Sequence, residues 1–232
     1  MTPYATEVLA RHAAQFRTLP LQAEVSHHAR RAVVDWYAAL YPGLDAPAVQ
    51  ALRATLADEL GRGPARVIAA AGASQSATVR AAALIHGTAA HAAEVDDSFR
   101  DAMLHPGAAT IAAALAVAHA TGANGADFLK AVVLGYEVST RIGVVMGREH
   151  YRYWHNTGSV GSFGAAAAAA CLYGLDEQAF AHALALAATC ATGLQQAFRL
   201  EAMAKPLHAG RAAEVGVLAA QLAKNGMRCS LD

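Results

Sequence analysis

Two runs of small residues, GAAAAAAC at 164–171 and AHALALAATCAT at 181–192, constrain this chain more than any other feature. Alanine is the best helix former, and its methyl group lets helix backbones approach closely. Stretches of this kind predict tightly packed, near-central helices. Helical patterning recurs over 4–16, 22–41, 47–61, 76–93, 107–121, 125–147, 158–173, 177–196 and 206–225. Ser76 is placed to open one of these helices, and Pro106 and Pro206 fall where a first turn tolerates proline. Gly122, Gly174 and Gly226 follow last turns. Two-residue alternation is confined to ARVIAA at 65–70. The expectation is an all-α fold in a single domain over 1–232, with short loops.

A chain of 232 residues buries a substantial core without covalent staples. Lys+Arg and Asp+Glu balance at 18 each, and the basic groups are dispersed, which argues against a nucleic-acid partner. Cys171, Cys190 and Cys229 show no CxxC spacing, so neither a disulfide framework nor a zinc site is read and a reduced, cytoplasmic setting is expected. The opening MTPYATEVLARHAAQF is amphipathic, unlike a signal peptide. Asn156 to Leu175 is uncharged and long enough to span a bilayer, but its apolarity comes from Ala and Gly. It reads as a buried helix, and no membrane partner is expected.

Three polar constellations interrupt this apolar background. The first, HAAEVDDSFRDAMLHPG at 91–107, places His91 and Glu94 at i, i+3 on one helix face. Asp96, Asp97 and Ser98 then crowd the helix C-terminus, where the helix dipole disfavours carboxylates. Metal-ligand spacings are poorly met: Glu-x-x-His occurs once, at Glu24–His27, and His-Glu-x-x-His is absent. A solvated loop accounts for Arg100 and Asp101 but not for acids beside a histidine at a helix end. An acid–base or substrate-binding site is the reading preferred. The second, YRYWHNTGSVGSFG at 151–164, leads into a Gly/Ser-rich helix start whose free N–H groups suit a carboxylate or phosphate. Taken alone it reads rather as a capped helix with Trp154 in the core. The third, AMAKPLHAGRAAEVG at 202–216, gathers Lys205, His208 and Arg211 at a helix entrance, either solvated or able to clamp a polycarboxylate.

Together the stretches HGTAAHAAEVDDSFRDAMLHPG (86–107), HNTGSVGSFGAAAAAACLYGLD (155–176) and KPLHAGRAAEVGVLAAQLAKNG (205–226) resemble the MmgE/PrpD family. Its members include 2-methylcitrate dehydratases, cis-aconitate decarboxylases and iminodisuccinate epimerases. The resemblance implies a helical domain carrying half of an active site, with a smaller α/β lid domain supplying the rest. It carries active-site positions onto Glu94, Ser98, His105, His155, Met203 and Lys205. Many relatives have Asp where Glu94 stands and Thr where Ser98 stands, and the loop up to His105 is longer here than in decarboxylase-like members. Set beside whole relatives the chain is shorter, and the expectation is a domain truncated relative to the family, without the lid and closing helices. A fragment, a truncated product and a stand-alone domain are all consistent with that.

The implied chemistry is proton transfer at carbon beside a carboxylate, with no metal and no cofactor. Catalytic roles are expected for Glu94, Asp97 and His105, with His105 as general acid or base and the two acids orienting it or sharing proton transfer. Ser98, His155, Met203 and Lys205 are expected to bind substrate, a small polycarboxylate. A hydro-lyase acting on a 2-methylcitrate-like acid ranks first, ahead of an epimerase or decarboxylase of a related acid. A reading from another class is an inactive helical domain serving assembly, and the resemblance also implies a homodimer.

Overall fold

The computed structural model describes residues 4–69, 74–200 and 203–232. Helices follow one another as α1 Ala5–Thr18, α2 Ala23–Gly43, α3 Pro47–Thr55, α4 Val79–Ala92, α5 Pro106–Thr121, α6 Gly125–Tyr151, the single turn α7 Asn156–Ser159, α8 Gly161–Leu172, α9 Glu177–Cys190 and α10 Ala204–Lys224. The all-α expectation holds, with one local exception. Between α3 and α4, strands β1 Leu60–Ile68 and β2 Ser74–Ala77 form an antiparallel pair.

That hairpin displaces two expected helix boundaries. The helix expected over 47–61 stops at Thr55, and Gly61 (φ 83°) and Gly63 (φ 94°) lie in the left-handed region, which a helix does not admit. Ser76 pairs with Arg66 across the strands, and Thr78 caps α4 instead, its hydroxyl accepting from the Ala81 N–H at 3.3 Å. Ala65 and Val67 both face inward, the period-two signature of the one stretch in which alternation was read. Elsewhere the punctuation works as expected. Pro106 begins α5, and Gly122 (φ 65°), Gly174 (φ 70°) and Gly226 (φ 88°) follow the ends of α5, α8 and α10. Helix α6 runs past the expected 147, through a kink at Gly147, while α9 ends six residues short of 196.

The alanine runs occupy the centre. Ala165 through Ala170 on α8 have no exposed surface, and α5 is buried from Pro106 to Ala114. The 156–175 stretch is therefore interior helix as far as Leu172, divided between α7 and α8, and closes in a turn. No helix among the described residues is long and apolar enough to cross a membrane. Helix α10 lies across both α4 and α8. Its crossing with α4 is made of glycine: a Cβ on Gly87 would stand 2.8 Å from the Gly210 Cα. This contact brings the C-terminal end of α4 beside the N-terminal end of α10, and the polar residues of the chain collect there.

Candidate active site

Helix α4 ends at Ala92, and Glu94 then adopts a left-handed backbone (φ 53°), uncommon for a residue with a side chain. The reversal drops Asp96 back beneath the last turn, where its Oδ2 stands 2.8 Å from His91 Nδ1. Both side chains are buried. Paired backbone hydrogen bonds between Phe99 and Leu104 close the following loop, and Asn156 steadies it by donating to the Ala102 carbonyl at 2.6 Å. His105 precedes Pro106 at the start of α5, and its backbone N–H donates to Thr157 Oγ1 at 3.2 Å. Its Nδ1 lies 3.5 Å from the same Asp96 oxygen, and its ring centroid 4.9 Å from that of His91.

The second wall comes from the segment before α7. The His155 N–H donates to the Gly193 carbonyl at 2.7 Å, and its ring stacks on His91 with centroids 5.4 Å apart. His155 Nδ1 is 3.2 Å from His208 Nδ1 on α10, so one ring donates there and the other accepts. The Phe198 and His155 rings meet edge to face with centroids 4.7 Å apart, and Lys205 Nζ lies 5.5 Å from the centre of the Phe198 ring. Lys205 Nζ reaches Glu94 Oε2 at 2.6 Å. Burial, followed by the neighbouring His91, His208, Lys205 and His105, pushes His155 down to about 2, so it is a neutral imidazole near neutral pH. Burial, then His91, lowers His208 as well.

Of the residues expected from sequence, Glu94, Met203 and Lys205 line one cleft of about 590 Å³, together with Phe198 and Tyr151. His155 and His105 lie behind it in the imidazole cluster, joined to Lys205 through Phe198. Ser98 is exposed on the loop. Asp97, expected beside His105, faces elsewhere: Oδ1 accepts from the Gly107 N–H at 3.0 Å and Oδ2 from the Tyr136 hydroxyl at 2.7 Å. Burial pushes the Asp97 carboxyl above the ordinary carboxylate range, against the lowering effect of those two donors. It ties α5 to α6 and leaves the position beside His105 to Asp96.

Sequence reasoning passed over His91 with Asp96, His208 with His155, and Phe198. The cationic trio expected at the entrance of α10 separates: Lys205 goes to Glu94, His208 to His155, and Arg211 to Glu214. Among the described residues, His91, Asp96 and His105 are the group able to hold a metal ion, with ligand atoms within 4.8 Å of one another. The 2.8 Å His91–Asp96 contact is equally an ordinary charge-assisted hydrogen bond.

Fold and site together define a helical domain in which an imidazole–carboxylate cluster backs a cleft bearing one lysine. The chain matches the MmgE/PrpD N-terminal domain over residues 7–232, and it belongs to the MmgE/PrpD family. It is 35% identical over 156 residues to a cis-aconitate decarboxylase-like protein of Aspergillus oryzae, covering 63% of this chain and 32% of that protein. The cis-aconitate decarboxylase of Homo sapiens is 34% identical over 153 residues, 63% of this chain and 31% of that protein. That of Aspergillus terreus is 28% identical over 229 residues, 95% of this chain and 46% of that protein. The matched region thus spans between about a third and just under half of these relatives.

Proposed function

We propose that this chain provides the helical half of a lyase site for a small tricarboxylate, with decarboxylation of a cis-aconitate-like acid as the reaction. The observation that carries the reading is the Lys205–Glu94 pair at a cleft backed by the neutral imidazole of His155. Glu94 stands where a substrate carboxylate would approach Lys205, so an incoming acid exchanges one carboxylate for another on the same ammonium. Neutral His155 donates a hydrogen bond to a second carboxylate, Ser98 reaches the substrate from the loop, and Met203 supplies apolar wall.

In the reaction the C–C bond to one carboxyl breaks and carbon dioxide leaves. The electron pair stays on a carbon conjugated with a remaining carboxylate, where Lys205 stabilises the developing charge. His105 takes up a proton from solvent on Nε2 and delivers it to that carbon, returning to its neutral form. Dehydration of a 2-methylcitrate-like acid, ranked first from sequence, passes through a related carbanion. The names of the similar proteins favour decarboxylation between the two.

The test is calorimetric binding of cis-aconitate and 2-methylcitrate to the purified protein, alongside carbon dioxide release and alkene absorbance, with chelator present. Binding of cis-aconitate with carbon dioxide release supports the proposal. Water loss from 2-methylcitrate without carbon dioxide from cis-aconitate would replace it with the dehydratase. A protein that binds neither acid but self-associates would be the assembly module.

A further inference from the structure

We propose that Asp96 is the positioning residue for His105, its buried carboxylate fixing the ring orientation and tautomer with which His105 exchanges a proton with substrate. The inference rests on the reading of His105 as the proton-transfer group. Asp96 has a side chain only 1% exposed. A carboxylate taken so far from water needs donors close by. Its Oδ2 has two candidates, His91 Nδ1 at 2.8 Å and His105 Nδ1 at 3.5 Å.

An ionised carboxylate only accepts hydrogen bonds, so each imidazole serves it by carrying its proton on Nδ1. That leaves Nε2 of each ring with a lone pair. For His105 the distinction matters, because Nδ1 is buried and has no other partner, while the side chain as a whole is 29% exposed. Accessibility therefore falls on the other ring atoms, and Nε2 is the nitrogen free to meet substrate. A separation of 3.5 Å is long for a hydrogen bond, as is common before substrate closes a site, and a small ring rotation shortens it. The backbone leaves little freedom besides: Thr157 accepts from the His105 N–H, and the next residue is proline.

His91 completes the device. Its short bond to Asp96 holds the carboxylate, and the left-handed turn at Glu94 delivers that carboxylate under α4. His105 is thus oriented by a group that is itself oriented, the arrangement that makes a histidine an effective proton carrier. Asp97, next in sequence, is turned away from His105, its oxygens meeting the Gly107 N–H and the Tyr136 hydroxyl instead. The competing account is that Asp96 merely finishes the end of α4 around His91.

Two-bond proton–nitrogen correlation spectra of ¹⁵N-labelled full chain in mildly alkaline solution decide between them, with His105 assigned by loss of its signals in His105→Gln. The expected wild-type pattern is a proton on Nδ1 and a bare Nε2. Asp96→Asn removes the negative charge that favours a proton on Nδ1, so the neutral ring's ordinary preference for Nε2–H shifts the His105 proton toward Nε2. The same variant should lower kcat on cis-aconitate by about a hundredfold or more while KM changes by less than about threefold. A wild-type His105 protonated on Nε2 overturns the inference, and so does an Asp96→Asn protein with unchanged tautomer and kcat. Should Asp96→Asn fail to fold, the wild-type spectrum decides alone. A tautomer switch in a protein that turns over neither acid supports the positioning role and counts against the proposed reaction only.

Discussion

Lys205 Nζ and Glu94 Oε2 meet at 2.6 Å, joining the first turn of α10 to the reversal after α4. The Glu94 side chain is 57% exposed, so the pair adds little to stability. In the proposed function it holds the ammonium in place for an incoming acid. Lys205→Ala should weaken tricarboxylate binding at least tenfold, about 1.4 kcal/mol, with helix content unchanged. Glu94→Gln should tighten it at low ionic strength by removing the internal competitor, and the gain should shrink with added salt. Calorimetric titration of both variants checks this, and equal affinity for wild type and Lys205→Ala would remove Lys205 from the site.

Acid should destabilise the fold through two buried histidines. Burial, with smaller contributions from His119 and Arg53, pushes His86 down to about 3, and His155 stands at about 2. Between those values and about 6.5 the unfolded chain binds a proton on each ring that the folded chain refuses. Their contribution to stability is therefore complete above about pH 6.5 and is lost as pH falls below it, by up to about 1.4 kcal/mol per unit for each ring. His86 Nε2 accepts from the Ile68 N–H at 3.0 Å, so its protonation also breaks a link between β1 and α4. Urea midpoints should fall from about pH 7 to about pH 5, and His86→Gln, whose amide oxygen still accepts, should flatten that fall.

Tyr136→Phe isolates the role of Asp97. Removing the hydroxyl leaves Asp97 Oδ2 without the donor now at 2.7 Å, at a cost of about 1–3 kcal/mol. The urea midpoint should drop with an unchanged slope. An unmoved midpoint would mean that Asp97 has another donor within reach.

A homodimer is expected from the family resemblance, and the end of α6 offers a surface for it. Val144, Val145 and Met146 are 51%, 86% and 40% exposed, consecutive in the last turn before the Gly147 kink. Adjacent exposed apolar side chains of this kind mark association surfaces. Light scattering should report a dimer at tens of micromolar, and Val145→Asp should yield a monomer of unchanged helicity. A wild-type monomer would end the expectation.

The helical frame was legible because its signals are local: alanine runs, Pro106 at a first turn, glycines after last turns. The hairpin at 60–77 was hidden by an apparently adequate cap at Ser76 and by helix formers running up to Leu60. Glu94, His105, His155, Met203 and Lys205 were named through the family resemblance, since no periodicity links the ends of α4 and α10. The His91–Asp96 pair was not legible. A spacing of five becomes a contact only if the chain reverses between the two residues, and the reversal is made by a glutamate where glycine is the usual signal. Asp96 and Asp97 are neighbours with identical side chains, and only the direction of the backbone decides which one meets the histidines.

Ala165 to Ala170 are fully buried and carry no side-chain torsion to immobilise, so ordering them costs no rotamer entropy. The usual injury to a core, trimming a large side chain to leave a void, has almost nothing to remove here. Enlargement is different. Helix α10 rests on α8 through Gly216, where even a Cβ would approach the Ala166 nitrogen to 2.5 Å. An Ala→Val change on that face has no side chain to push aside and must lift α10 as a body, taking Lys205 and His208 away from α4 with it. Inherited damage to this protein should therefore be lopsided: added methyl groups deep in α8 will be felt first as a misaligned lysine, in a protein that is still folded.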